Sequence, residues 1–162
     1  DVVTVMPGGI YGPGDTSQIG ELIRQAAHGR RVLAPSGLRM CMAHVDDIAA
    51  GHVLAMDKGR AGESYMLAGP QTTLVDVLRI TAEIAGGKAP IVLPDVAVGA
   101  SEKMMGLLER VAPVPSTYRA ESLRASRASY LGSPAKANAE LGWFARDLRI
   151  GLAETVEDEL RG

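Results

Sequence analysis

Asp1-Val2-Val3-Thr4-Val5-Met6-Pro7-Gly8-Gly9-Ile10-Tyr11-Gly12-Pro13-Gly14-Asp15 opens the chain and decides how the rest is read. Residues 1–6 are apolar and β-branched, the pattern of a strand buried on both faces. Residues 7–15 hold four Gly and two Pro, a loop by composition. A helix follows, with Ile19, Leu22, Ile23 and Ala26 on one face, Thr16 or Ser17 as cap and Gly29 as stop. Strand, glycine-rich turn and helix in that order is the opening of an α/β unit. A domain seldom starts inside such a strand, so the expectation is a segment of a longer polypeptide whose earlier strands are missing.

Further along, extended pieces at 31–34 and 40–45 are separated by Pro35-Ser36-Gly37. A second helix is marked by Asp46 and Asp47 at its start and Gly59 at its end. Its apolar stripe reads Val45, Ile48, Ala49, Val53 and Met56, and His52 falls on that stripe as a core histidine. Residues 64–67 form a strand. A third helix spans 74–85, with a capping pair of Thr73 and Asp76 and a buried face of Leu74, Val77, Leu78, Thr81 and Ile84. Residues 90–94 are bounded by prolines, which confines them to an edge. A fourth helix carries Ala97, Ala100, Met104 and Leu108, and 112–132 form a loop. Ser133 caps a short helix with Pro134 at its first position and Gly142 at its end. Leu148, Leu152, Val156 and Leu160 line a terminal helix.

The chain has 162 residues, enough for one domain, with 46% hydrophobic and 22% charged residues. A formal net charge of −2, with no basic arm in either half, gives no support for nucleic-acid binding or a membrane surface. No apolar run approaches a membrane span of about 18 residues. A single cysteine, Cys41, excludes an internal disulfide framework and indicates a reducing, cytoplasmic compartment. Aromatic residues at 4% argue against base-stacking platforms.

The glycine loop fails as a phosphate cradle. Its spacing is Gly9-x-x-Gly12-x-Gly14, Pro13 removes a donor, and no acidic residue ends the strand Val32-Leu33-Ala34. Close approach of its backbone to a ligand fits better. No G-x-S-x-G or Gly-Lys-Ser/Thr occurs. Asp46 and Asp47 are read as helix cap and first turn rather than as metal ligands beside His44, and no metal site is assigned. Arg119, Arg124 and Arg127 are read as a solvated face, and Cys41 has no adjacent base to make it a thiolate.

As a set, these landmarks resemble the extended short-chain dehydrogenases/reductases, the NAD-dependent epimerase/dehydratase family, and within it the dihydroflavonol-reductase-like and hydroxysteroid-dehydrogenase-like members. The matching residues are the loop 7–15 and His44-Val45-Asp46-Asp47-Ile48-Ala49 with Gly51-His52-Val53. Gly62-Glu63-Ser64-Tyr65, Leu67-Ala68-Gly69, Lys136-Ala137 and Glu140-Leu141-Gly142-Trp143 complete the set. The resemblance implies an α/β fold: residues 1–162 as the C-terminal part of a doubly wound Rossmann-type domain plus a small substrate-binding α/β region. It also implies NADP or NAD as cofactor and a homodimer in the full-length enzyme. By match to the family loop, Pro7, Gly8, Gly9 and Ile10 flank the nicotinamide and Ser17 reaches a phosphate. Ile10, Tyr11, Arg39 and Tyr118 fall on the substrate side.

The family's Tyr-x-x-x-Lys pair, whose tyrosine is the general acid/base, is absent. The residues four places after each Tyr are Asp15, Gly69, Ser122 and Pro134. No catalytic residue is therefore assigned, and this chain alone is expected to be inactive. Nucleotide-sugar members usually carry Asn at the position of Gly9 and Arg at that of Met40. A glycine and a thioether offer a diphosphate nothing. Met40, Cys41 and Met42 suit a lipophilic alcohol or ketone, so the expected substrate is a small or hydrophobic carbonyl or hydroxyl compound. The alternatives are a nucleotide-sugar epimerase/dehydratase and a non-catalytic binding module.

Overall fold

The computed structural model describes residues 1–94, 96 and 131–161. The sequence-predicted helix of Ala97–Leu108, Tyr118, the three loop arginines and nearly all of 112–132 lie outside them. Among the described residues, seven short strands form three small sheets. Strand β1 (Thr4–Pro7) runs parallel to β5 (Ser64–Leu67), with Val5 opposite Tyr65. Strand β2 (Gly9–Tyr11) runs parallel to β4 (Arg39–His44), which on its other side pairs antiparallel with β6 (Gln71–Thr73). Strand β3 (Leu33–Pro35) pairs parallel with β7 (Ile91–Leu93). Around them pack α1 (Gln18–Ala27), α2 (Val45–Lys58), α3 (Leu74–Ile84), α4 (Ala135–Leu141) and α5 (Leu148–Arg161).

The predicted α1 and α3 form for the reasons their sequences state. Ser17 caps α1 by accepting from the Gly20 N–H at 3.1 Å, and Gly29 turns the chain away at φ +74°. Thr73 caps α3 by accepting from the Asp76 N–H at 3.0 Å, while Asp76 accepts in return from the Thr73 hydroxyl. Their apolar faces meet α5 and strands β3 and β4 in one core, centred on Ile23, Leu78, Met42 and Leu152. A second core joins α2 and α4 to β5 through Ile48, Tyr65, Leu67, Leu141 and Trp143.

Four sequence expectations are corrected. The loop 7–15 contains β2, because the chain crosses at Gly8 from the β1–β5 sheet to the edge of β4. Gly8 donates to Leu67 O at 2.9 Å, and a Cβ there would lie 2.6 Å from the Cys41 carbonyl oxygen. The glycine serves this approach of loop to strand. Residues 71–73, unassigned in sequence, pair with β4 as β6. The short helix begins one residue later than read: Pro134 occupies its cap and Ser133 accepts from the Ala135 N–H.

The fourth correction concerns α2. Val45, Ala49, His52, Val53 and Met56 face outward, Met56 being 78% exposed. Of the predicted stripe only Ile48 is buried, and Gly51 and Ala55 complete the inward face. A helix that packs through glycine and alanine approaches its neighbours closely but leaves little hydrophobic signal. At Gly51 an added Cβ would overlap Leu67 and lie 2.9 Å from the Trp143 indole nitrogen.

The outward stripe of α2 joins Val2 and Met6 as exposed apolar surface. Such surface drives association. The isolated chain should therefore sediment as oligomers or aggregates; a monodisperse monomer with a sharp cooperative thermal transition is the contrary outcome.

Candidate functional site

A cavity of about 710 Å³ opens where the carboxyl ends of β1 and β5 meet α1, β4 and the start of α3. The two parallel strands bring Pro7 and Met66 to its rim, and the crossing that follows adds Gly8, Gly9 and Ala68. Helix α1 contributes Gln18, Ile19 and Leu22, the β3–β4 segment Pro35, Leu38, Met40 and Cys41, and α3 its first residue, Leu74. No charged side chain lines it among the described residues. Its position follows the rule for open α/β sheets, in which ligands sit beyond the carboxyl ends of parallel strands. Its volume is that of a small-molecule site.

The sequence-assigned residues separate around this cavity. Pro7, Gly8 and Gly9 line it, whereas Ile10 pairs with Ala43 and faces away from the lining. Tyr11, which the resemblance put on the substrate side, lies outside the lining and in the core: it is 1% exposed, and its hydroxyl points to the Leu148 carbonyl of α5 at 3.5 Å. Alternation along β2 sends neighbouring side chains to opposite faces. Burial, reinforced by the Asp47 carboxylate, pushes the Tyr11 phenol well up, so it stays protonated. Arg39 is exposed and outside the lining, while its neighbour Met40 is buried within it. Ser17 is exposed and engaged as the α1 cap. Tyr118 lies outside the described residues. Gln18, Leu38, Met66, Ala68 and Leu74 were not assigned from sequence. The signal that marks Met66 and Ala68 is the motif Leu67-Ala68-Gly69 directly after a parallel strand.

Beside the cavity, the His44–Ala49 and Glu140–Trp143 landmarks lock together. Trp143 donates from its indole nitrogen to the Asp47 carbonyl at 2.7 Å. The Arg146 guanidinium grips the Asp47 carboxylate through Nε at 3.0 Å and Nη2 at 2.8 Å, and its backbone N–H donates to the same group at 2.9 Å. Its Nη1 pairs with Glu154 of α5 at 2.5 Å. His44 caps α2 by accepting at Nδ1 from the Asp46 N–H, which leaves the proton on Nε2, 3.8 Å from Glu154 and without a hydrogen-bond partner. His44, Asp46 and Glu154 offer ligand atoms within 4.8 Å of one another, and the Arg146 guanidinium already lies against both carboxylates, where its positive charge would oppose a bound cation. Gly62–Tyr65 and Lys136–Glu140 form a second lock, with Lys136 paired to Glu63 and the Tyr65 hydroxyl donating to Glu140 at 2.8 Å.

Burial alone would raise the Asp47 carboxyl, yet the Arg146 hydrogen bonds and charge outweigh it and hold the group below the ordinary carboxylate range. A depressed folded-state value contributes stability that is full above the unfolded value of about 3.9 and is lost as pH falls through the folded one. Asp47→Asn should therefore cost about 1.5–3 kcal/mol at neutral pH. It should also flatten the fall in Tm on acidification below about pH 4. Thermal unfolding of both forms across that range checks it.

The sequence model described as the NAD dependent epimerase/dehydratase family matches residues 1–68. Sterol demethylase protein B of Methylococcus capsulatus is 30% identical over 162 residues, covering 96% of this chain and 49% of that protein. A putative dihydroflavonol 4-reductase of Synechocystis sp. is 28% identical over 167 residues, covering 96% and 47%. The chain thus spans about half the length of the curated relatives it matches. The crystal structure of gox2253 superposes with a TM-score of 0.81 at 28% identity, covering 98% of this chain and 49% of that one. At 17% identity, RMD from Pseudomonas aeruginosa, solved with NADPH, shares the fold with a TM-score of 0.68, covering 99% and 48%. Together they make the fold a mixed α/β arrangement of the Rossmann type that spans about half of each matched chain.

Proposed function

We propose that this chain belongs to the NAD dependent epimerase/dehydratase family and is the substrate-side portion of an NAD(P)-dependent oxidoreductase acting on a small or hydrophobic carbonyl or hydroxyl compound. The observation that carries the reading is the cavity, largely apolar, without a charged side chain among its described lining residues, and placed beyond the carboxyl ends of two parallel strands. A nucleotide sugar needs charge-assisted donors for its diphosphate. Met40 stands in the wall, and Arg39 points out of it. The names of the relatives agree with a lipophilic substrate, a sterol in one and a dihydroflavonol in the other.

The cavity suits a nicotinamide at one side. Pro7, Gly8 and Gly9 present a bare, uncharged edge there, and these three residues would flank the ring. When bound, NAD or NADP supplies or accepts the hydride. This chain's own residues exclude water and position the reacting carbon: Leu38, Met40, Met66 and Leu74 enclose the hydrocarbon, and Cys41 is buried with its thiol directed to the Gly132 carbonyl at 3.5 Å. No described residue of the cavity is an acid or base suited to the proton transfer, which we assign to the remainder of a longer enzyme. A homodimer and a cytoplasmic location belong to the same reading, the first supported by the exposed α2 stripe and the second by the single unpaired cysteine.

The complete enzyme should oxidise or reduce hydrophobic alcohols and ketones in a coupled NAD(P)H absorbance assay and leave UDP- and dTDP-sugars unchanged. Turnover of a nucleotide sugar at micromolar KM would transfer the chain to the epimerase/dehydratase reading, and no turnover of either panel would favour a binding module.

A further inference from the structure

We propose that Gln18 orients the substrate, and that the substrate is a hydrocarbon-rich molecule with one hydroxyl or carbonyl oxygen held at the α1 end of the cavity. The inference rests on the cavity being the substrate site.

Hydrophobic burial has no direction, so an apolar cavity alone would hold such a molecule in many poses. Orientation in such sites comes from a few placed polar groups. Among the described lining residues only Gln18 and Cys41 carry polar side-chain atoms. The Cys41 thiol is buried and turned to the Gly132 carbonyl. The Gln18 amide is exposed at the cavity and makes no hydrogen bond to another described residue.

Gln18 is the first residue of α1, and Leu22 on the same wall follows about 6 Å further along the helix axis. The amide therefore stands on the N-terminal side of Ile19 and Leu22 along the α1 wall, apart from the apolar contacts that those residues supply. Carrying both donor and acceptor, it can pair with a carbonyl or with a hydroxyl, the two oxidation states of an alcohol–ketone couple. The start of α1 does not depend on it. Ser17 caps the helix, and the Asp15 carboxylate accepts from the Ser17 N–H at 2.8 Å. A substitution at Gln18 thus reports on ligand rather than on folding.

The test titrates the complete protein, with methionine methyl groups labelled for NMR, with camphor, borneol and their parent hydrocarbon bornane. All three should shift the Met40 and Met66 signals, the oxygenated probes binding about fivefold to tenfold tighter than bornane. Gln18→Leu should erase that preference while leaving bornane binding and the thermal midpoint unchanged. A preference that survives in Gln18→Leu, or none in the unmodified protein, overturns the role of Gln18 and leaves the cavity standing. If no probe shifts Met40, the substrate-site reading falls, and this inference with it.

Discussion

Trp143→Ala should cost about 3–5 kcal/mol, the usual range for emptying a large buried aromatic site. Domains of this kind have total stabilities of about 5–15 kcal/mol, so a large part of the molecule would unfold or become marginal. The indole is 2% exposed and fills the space between α2, α4 and β5. It also closes the turn that follows α4, where Gly142 adopts φ +69° and the Trp143 N–H returns to Ala137 O at 3.3 Å. Collapse of the surroundings cannot easily fill the void, because α2 is already in contact through Gly51 and cannot come closer. Trp143→Phe keeps most of the volume and loses the hydrogen bond to Asp47, so it should cost about 1–2 kcal/mol. Urea unfolding of the three forms measures this. A loss below about 1 kcal/mol for the alanine variant would show that the α2–α4 core does not hold the fold.

The same residue shows what the sequence made legible. Helices α1 and α3 could be read because their apolar stripes and caps are local: Ile23, Leu78, Ser17 and Thr73 all act where the pattern puts them. For α2 the stripe misled, since burial there depends on how closely Gly51 and Ala55 let other elements approach, a tertiary property. Strand β2 was hidden by its glycines, which are demanded by the Cys41 carbonyl and the Met42 side chain rather than by a turn. The burial of Tyr11 was hidden for a related reason. Once β2 is a strand, Ile10 and Tyr11 must face opposite ways, and the larger ring goes under α5 against His44. The cavity was legible only in fragments. Pro7–Gly9 and the soft wall at Met40 and Cys41 were visible, but Gln18, Met66 and Leu74 come from three further segments, α1, β5 and α3, that the fold brings together.

Substitution of Met40 carries the second large effect. Its side chain is buried in the cavity wall. A guanidinium placed there has no acidic partner among the lining residues, so it must either remain hydrated within the cavity or bind an anion. Either outcome removes the space and the apolarity that a lipophilic substrate needs. Met40→Leu, by contrast, conserves volume and should be nearly neutral.

The selectivity of these Met40 variants tests the central claim most directly. In the complete enzyme, Met40→Arg should lower kcat/KM for a hydrophobic ketone by about 100-fold or more, the equivalent of roughly 2.7 kcal/mol of lost transition-state binding. Met40→Leu should stay within about threefold of the unmodified enzyme. Retention of ketone turnover within that same margin by Met40→Arg, with its Tm unchanged, would contradict the assignment of this cavity as the substrate site.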